Sequence, residues 1–110
     1  MSDLPTTDEQ ARALLSSGRL AEAVGAYRRT IADRPDDFTL YNNMAECLRR
    51  LGALVEALEV LDRADRLLPR HATVALNRAA LMAELGRPDE AMLVINTAWT
   101  LLHYIDAKIR

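Results

Sequence analysis

The stretch FTLYNNMAECLRRLGALVEALEVLDRADRLLPRH, residues 38–71, decides the fold. It divides at Gly52. Before the glycine, Tyr41, Met44-Ala45 and Leu48 recur three and four residues apart, and after it Ala57, Leu61 and Ala64 do the same. That spacing puts each set on one face of an α-helix. A glycine just past an apolar-periodic segment suits the left-handed backbone position that ends a helix. Pro69 closes the second segment, because proline has no N–H to give and clashes inside a helix. The stretch therefore reads as two helices and a tight turn, a helical hairpin.

The same hairpin is written three times, at a period of 34 residues. Gly18, Gly52 and Gly86 keep that spacing, as do Glu22-Ala23, Glu56-Ala57 and Glu90-Ala91. So do the small residues Ala11, Ala45 and Ala79, the helix-core residues Leu14, Leu48 and Met82, and the larger series Tyr27, Leu61 and Ile95. Thr30, Ala64 and Ala98 make a further small column. Pro35 and Pro69 repeat once, and His103 stands at the third position of that series. Six helices are predicted, over about residues 5–16, 20–33, 37–50, 54–67, 71–84 and 88–109. Pro88 suits a first helical position, where its missing N–H costs nothing, and Asp89 and Glu90 favour the positive end of the helix dipole. Small residues in both helices of a hairpin let the two backbones approach closely. Tyr41, Leu48, Leu61 and Met82 then fill the space between hairpins.

Composition agrees. Of 110 residues half are hydrophobic and only 5% aromatic, with Ala and Leu dominant, which favours helix over strand. The length suits one domain, over residues 1–110. A net charge of −2 offers no basic face for nucleic acid. The cations are Arg except for Lys108, a bias that fits a GC-rich bacterium. Cys47 is the only cysteine, which excludes an internal disulfide and fits a reducing cytoplasm. The first residues lack the basic and apolar regions of a signal peptide, and no apolar run reaches membrane-spanning length.

A small residue in the first helix, Gly in the turn, Ala early in the second helix, a large residue, Ala, then Pro: this pattern resembles the tetratricopeptide repeat. The middle unit carries it most fully, in Tyr41, Met44-Ala45, Leu48, Gly52, Ala57, Leu61, Ala64 and Pro69. The first, about 4–37, keeps Ala11, Gly18, Ala23, Tyr27 and Pro35. The third, about 72–105, keeps Ala79, Gly86, Ala91, Ile95 and Ala98 and lacks the final Pro. The resemblance implies an all-α fold, a right-handed superhelical stack of three antiparallel hairpins. The first helix of each would line a concave face that binds a polypeptide segment.

Register places Asp8, Arg12, Asn42, Asn43, Glu46, Arg49, Arg50, Thr73, Leu76, Asn77 and Glu84 on that face. Arg12, Asn42, Asn43, Glu46, Arg49, Arg50, Thr73 and Asn77 are the candidate peptide-binding residues. Asn43 and Asn77 lie one period apart. An Asn amide grips a backbone amide with a donor and an acceptor, which gives affinity tolerant of sequence. The plainer reading is that they are solvated or capping asparagines. One subset of the family clamps the C-terminal carboxylate of heat-shock chaperones with two Lys, two Asn and an Arg. The matching positions here are Asp8, Arg12, Asn43, Thr73 and Asn77, of which only Asn43 agrees, so the resemblance argues against that partner.

The last helix is expected to run long, since His103 replaces the terminating Pro. It carries a stripe of Trp99, Leu102, Ile105 and Ile109. Part of it should pack on the preceding hairpin and part stay exposed as an interface, either a homo-oligomer seam or a partner groove; alternatively the stripe is all core. His71 and His103 have no companions at metal-ligand spacing, and no Gly-rich phosphate loop, nucleophile elbow or HExxH motif is present. No cofactor, metal or catalytic constellation is therefore expected, and no nucleic-acid or membrane partner. The expected function is an adaptor or chaperone-like module for a protein partner, the alternative a self-assembling scaffold.

Overall fold

Three turns with one geometry set the architecture. At Gly18, Gly52 and Gly86 the backbone takes φ of 79°, 84° and 77°. Around each, two hydrogen bonds close the end of the preceding helix. For Gly52 they run from its own N–H to the Arg49 carbonyl (3.0 Å) and from the Ala53 N–H to the Leu48 carbonyl (2.9 Å). Gly18 and Gly86 repeat the pair. This is the Schellman closure, which satisfies carbonyls the helix end would leave unpaired. The chain then reverses at once into the next helix.

The computed structural model describes residues 7–67 and 71–109, with the side chains of all but Leu102, Ile105, Asp106, Ala107 and Ile109. Within them the helices are α1 (Asp8–Ser16), α2 (Leu20–Asp33), α3 (Phe38–Arg50), α4 (Leu54–Leu67), α5 (Ala72–Glu84) and α6 (Pro88–Ile109). There are no strands among the described residues. The sequence-based boundaries hold to within a residue except at the start of α1, where Thr7 forms a capping box with Gln10 and fixes Asp8 as the first helical residue. Asp37 caps α3 by accepting from the Thr39 N–H (3.1 Å). With His103 in place of Pro, α6 runs on to 22 residues against 14 for α2 and α4.

Packing follows the small columns. Ala11, Ala45 and Ala79 and their counterparts Ala23, Ala57 and Ala91 are all buried, at 5% exposure or less. Tyr27, Tyr41, Leu48, Leu61 and Met82 are buried in the same core. Each helix packs on its neighbours in sequence. In addition α1 approaches α3, and α3 approaches α5, within 8 Å between Cα atoms, whereas α2, α4 and α6 keep their distance from one another. The first helices of the hairpins thus crowd together on the inner side and the second helices splay on the outer. This bends the stack, and the Cα radius of gyration of 15.4 Å exceeds the roughly 13 Å of a globule this size.

Candidate polypeptide-binding groove

The inner side is a shallow groove between α3 and α5 with a volume of about 400 Å³. Its polar lining is Asn42, Asn43, Glu46 and Arg49 from α3 and Asn77 and Glu84 from α5; Ala45, Leu61, Ala80 and Leu81 supply the apolar part. These side chains converge because positions four apart share a helix face. Five of the eight residues expected to bind peptide line the groove: Asn42, Asn43, Glu46, Arg49 and Asn77. The other three stand aside. Arg12 is exposed on α1 and pairs with Asp8 (3.4 Å). Thr73 is exposed in the first turn of α5, and Arg50 is exposed beside the groove.

Asn43 and Asn77, one period apart, share the inner face. The Asn77 amide nitrogen donates to the Asn42 side-chain oxygen (3.2 Å), tying α5 to α3 across the inner face. Asn43 and Asn77 both remain on the lining. The amide of Asn43 also approaches the hydroxyl of Tyr27, which is buried and completes no hydrogen bond.

The arginines are engaged. Arg49 makes a two-pronged contact with Glu46 (2.6 and 3.0 Å) and reaches Glu84 on α5 (3.7 Å). Arg50 donates to the same Glu46 (2.9 Å). The hydrogen bond from Arg49, then that from Arg50, hold the Glu46 carboxyl below the usual range against a partial loss of solvation. Charge in the groove is therefore compensated internally. Burial raises the Cys47 thiol above its ordinary value. Among the described residues no group of three His, Cys, Asp or Glu side chains is placed to hold a metal ion. No described helix is long and apolar enough to cross a membrane.

Sequence reasoning missed the apolar floor. Ala80 occupies the position one period after Glu46, and that change of side chain was the signal available.

The model of the tetratricopeptide repeat family matches residues 9–69. This chain belongs to the tetratricopeptide repeat family. Members generally serve as interaction modules. Among solved structures, MamA (MSR-1, C2) is 20% identical over 94% of this chain and 62% of its own, with a TM-score of 0.76. MamA 41-end from Desulfovibrio magneticus RS-1 is 14% identical over 87% and 54%, at 0.78. The second TPR of Spaghetti (RPAP3), solved bound to the HSP90 peptide SRMEEVD, is 22% identical over 84% and 86%, at 0.74. At these identities the likeness is one of fold. The chain spans a little over half the length of these MamA chains. No curated protein sequence matches it.

Of the stripe expected on the last helix, Trp99 is 63% exposed. The side chains of Leu102, Ile105 and Ile109 lie outside the described residues. Met92, Leu93 and Tyr104 on α6 are also more than half exposed. The helix packs inward instead through Ala91 and the partly buried Val94, Ala98 and Leu101.

Proposed function

We propose that this chain is a non-catalytic protein-interaction module that holds a polypeptide segment in the groove between α3 and α5. The observation that carries the reading is the convergence of Asn42, Asn43 and Asn77 on one groove whose arginine is already neutralised. With charge spent internally, affinity would come from amide contacts to the ligand backbone and from the apolar floor at Ala80 and Leu81. Binding would tolerate sequence variation and depend weakly on salt. A tetratricopeptide domain of similar fold, that of RPAP3, is known with a peptide bound. An acidic, carboxylate-terminated ligand suits this groove poorly, because Asp8 and Thr73 stand where the chaperone-binding subset has lysines. The candidate contacts are Asn42, Asn43, Glu46, Arg49 and Asn77, with Arg12, Arg50 and Thr73 at the margins. All three repeats act as one domain in this reading, and the setting is a bacterial cytoplasm, which the single, buried Cys47 suits.

The test is capture from host lysate with the wild-type chain and an Asn42→Ala, Asn43→Ala, Asn77→Ala variant of unchanged circular dichroism. Loss of a prey from the variant supports the groove. Equal retention of the same prey by both refutes it.

A further inference from the structure

The period of 34 residues allows each surface to be compared with its equivalents. On α2 the residues Val24, Tyr27 and Ile31 are buried beneath α3, at 6%, 0% and 4% exposure. One period on, Leu58 and Leu61 of α4 are buried beneath α5, while Asp65, at the position of Ile31, pairs with Arg78 of α5 (3.5 Å). A further period gives Met92, Ile95 and Trp99 on α6, exposed at 57%, 38% and 63%. They have the chemistry of an internal interface.

The neighbouring helix has changed to match. The α3 residues that face α5 are Asn42, Glu46 and Arg49; one period later α5 carries Leu76, Ala80 and Ala83, all exposed. Positions that are polar on α3 have become apolar on α5. Together the two helices present one continuous apolar face. Taking about 200 Å² for a large side chain, it amounts to roughly 500 Å², the upper range for a monomer's largest patch. With a polar rim it approaches the roughly 800 Å² per partner of a stable complex.

Among the described residues the α1 side is different. The α1 positions equivalent to the buried Tyr41, Met44 and Cys47 of α3 are Thr7, Gln10 and Ala13, small or polar and all exposed. Head-to-tail stacking of copies would set the apolar face against a polar one. Only a two-fold arrangement sets apolar on apolar, and it closes instead of growing into a filament.

We infer that the Leu76, Ala80, Ala83, Met92, Ile95 and Trp99 face is the seam of a two-fold homodimer in which the α5–α6 hairpins of two copies pack against each other. Met92 lies three residues before Ile95 and Trp99 four after it. Antiparallel α6 helices with both Ile95 side chains at the axis therefore set Met92 of each copy against Trp99 of the other, a favourable sulfur–aromatic pairing. The small Ala80 and Ala83 let the backbones approach.

Trp99 is the chain's only tryptophan, so its emission reports the seam directly. Light scattering and fluorescence would be read on the 110-residue chain from micromolar to submillimolar concentration. The expected result is a mass of twice 12.3 kDa, with emission that shifts to the red on dilution. Met92→Glu and Ala83→Arg should each give the monomer mass with helix content unchanged. Ala83→Arg installs the residue that α3 already carries at the equivalent position as Arg49, so the fold tolerates it. Neither residue lines the groove. A monomer across the whole range overturns the proposal, and so does a dimer that survives both substitutions. Masses that keep growing with concentration also overturn it, by showing head-to-tail assembly.

Discussion

Tyr27→Phe should stabilise this protein. Tyr27 is fully buried, with its ring in the core and its hydroxyl without a hydrogen-bond partner. The Asn43 amide approaches but does not complete a bond, and the nearby Asp8 has a buried carboxylate oxygen that is also unpaired. A buried hydroxyl left unsatisfied costs about 1–3 kcal/mol. Phenylalanine keeps the ring contacts and removes one oxygen, and the small gap left behind offsets part of the gain. A net stabilisation of about 1 kcal/mol follows, or a rise of about 4 °C in Tm for a chain of this size. Urea unfolding followed by circular dichroism would show a higher midpoint at an unchanged slope. There is an alkaline signature as well. Burial raises the Tyr27 pKa, so the folded state keeps the proton longer than the unfolded chain. Its share of stability is complete below the ordinary tyrosine value of about 10 and declines as pH rises past it. The variant should lose that limb and retain the one due to Cys47, whose pKa is raised by burial in the same way. A loss of about 1 kcal/mol in Tyr27→Phe would refute the reasoning. It would mean that Tyr27 and Asn43 are bonded, and Asn43 would then be tied to the core instead of free for a ligand.

Two further perturbations probe the stack and the groove. Ala57 is fully buried at a close contact, so Ala57→Leu should overpack it and cost about 1–3 kcal/mol, read as a lower urea midpoint. Glu46, with its pKa held down chiefly by Arg49, contributes stability that is present above the unfolded carboxylate value of about 4.3 and lost as pH falls through the lower folded one. The groups are about a third exposed, so the contribution is below about 1 kcal/mol. A carboxyl titration by NMR should place Glu46 below a free glutamate, and Arg49→Ala should return it toward the ordinary value.

The helices were legible because local chemistry and tertiary packing agree in this fold. Several boundaries are written in residues whose backbone preference is strong: Gly18, Gly52 and Gly86 at positive φ, Asp37 at a cap, Pro88 at a first turn. Each inter-helix contact joins neighbours in sequence or the next helix but one, so no distant pairing had to be guessed. The site was less legible. Register fixes which helix face a residue occupies, and it brought Asn42, Asn43, Glu46, Arg49 and Asn77 to one groove. It does not say which neighbour a long side chain chooses. Arg49 and Arg50 stand among the candidate peptide contacts, but both turn to Glu46 three and four residues back along their own helix. Asn77 bonds to Asn42, 35 residues away, while its one-period counterpart Asn43 stays on the lining.

The departures from the period carry the functional information. A residue that repeats in all three hairpins does the same packing task in each, as Ala11, Ala45 and Ala79 do. A residue that changes while its backbone position stays the same marks a surface with a different neighbour. The change from Glu46 to Ala80 is such a case, and it has two consequences because Ala80 borders two surfaces. Toward α3 it floors a groove whose other wall is Asn42, Asn43, Glu46 and Arg49. The groove therefore sets the polar wall of α3 against a mixed one, in which Ala80 and Leu81 lie between Asn77 and Glu84, and suits a segment that presents both characters. Away from α3, Ala80 joins Leu76 and Ala83 at the apolar end of the stack. A charge at Ala80 would disturb both surfaces, whereas Ala83→Arg reaches only the end face and Asn43→Ala only the groove. Those two substitutions divide the molecule cleanly. If peptide capture follows Asn43 and self-association follows Ala83, with neither affecting the other, then two binding surfaces have been built on adjacent sides of one helix.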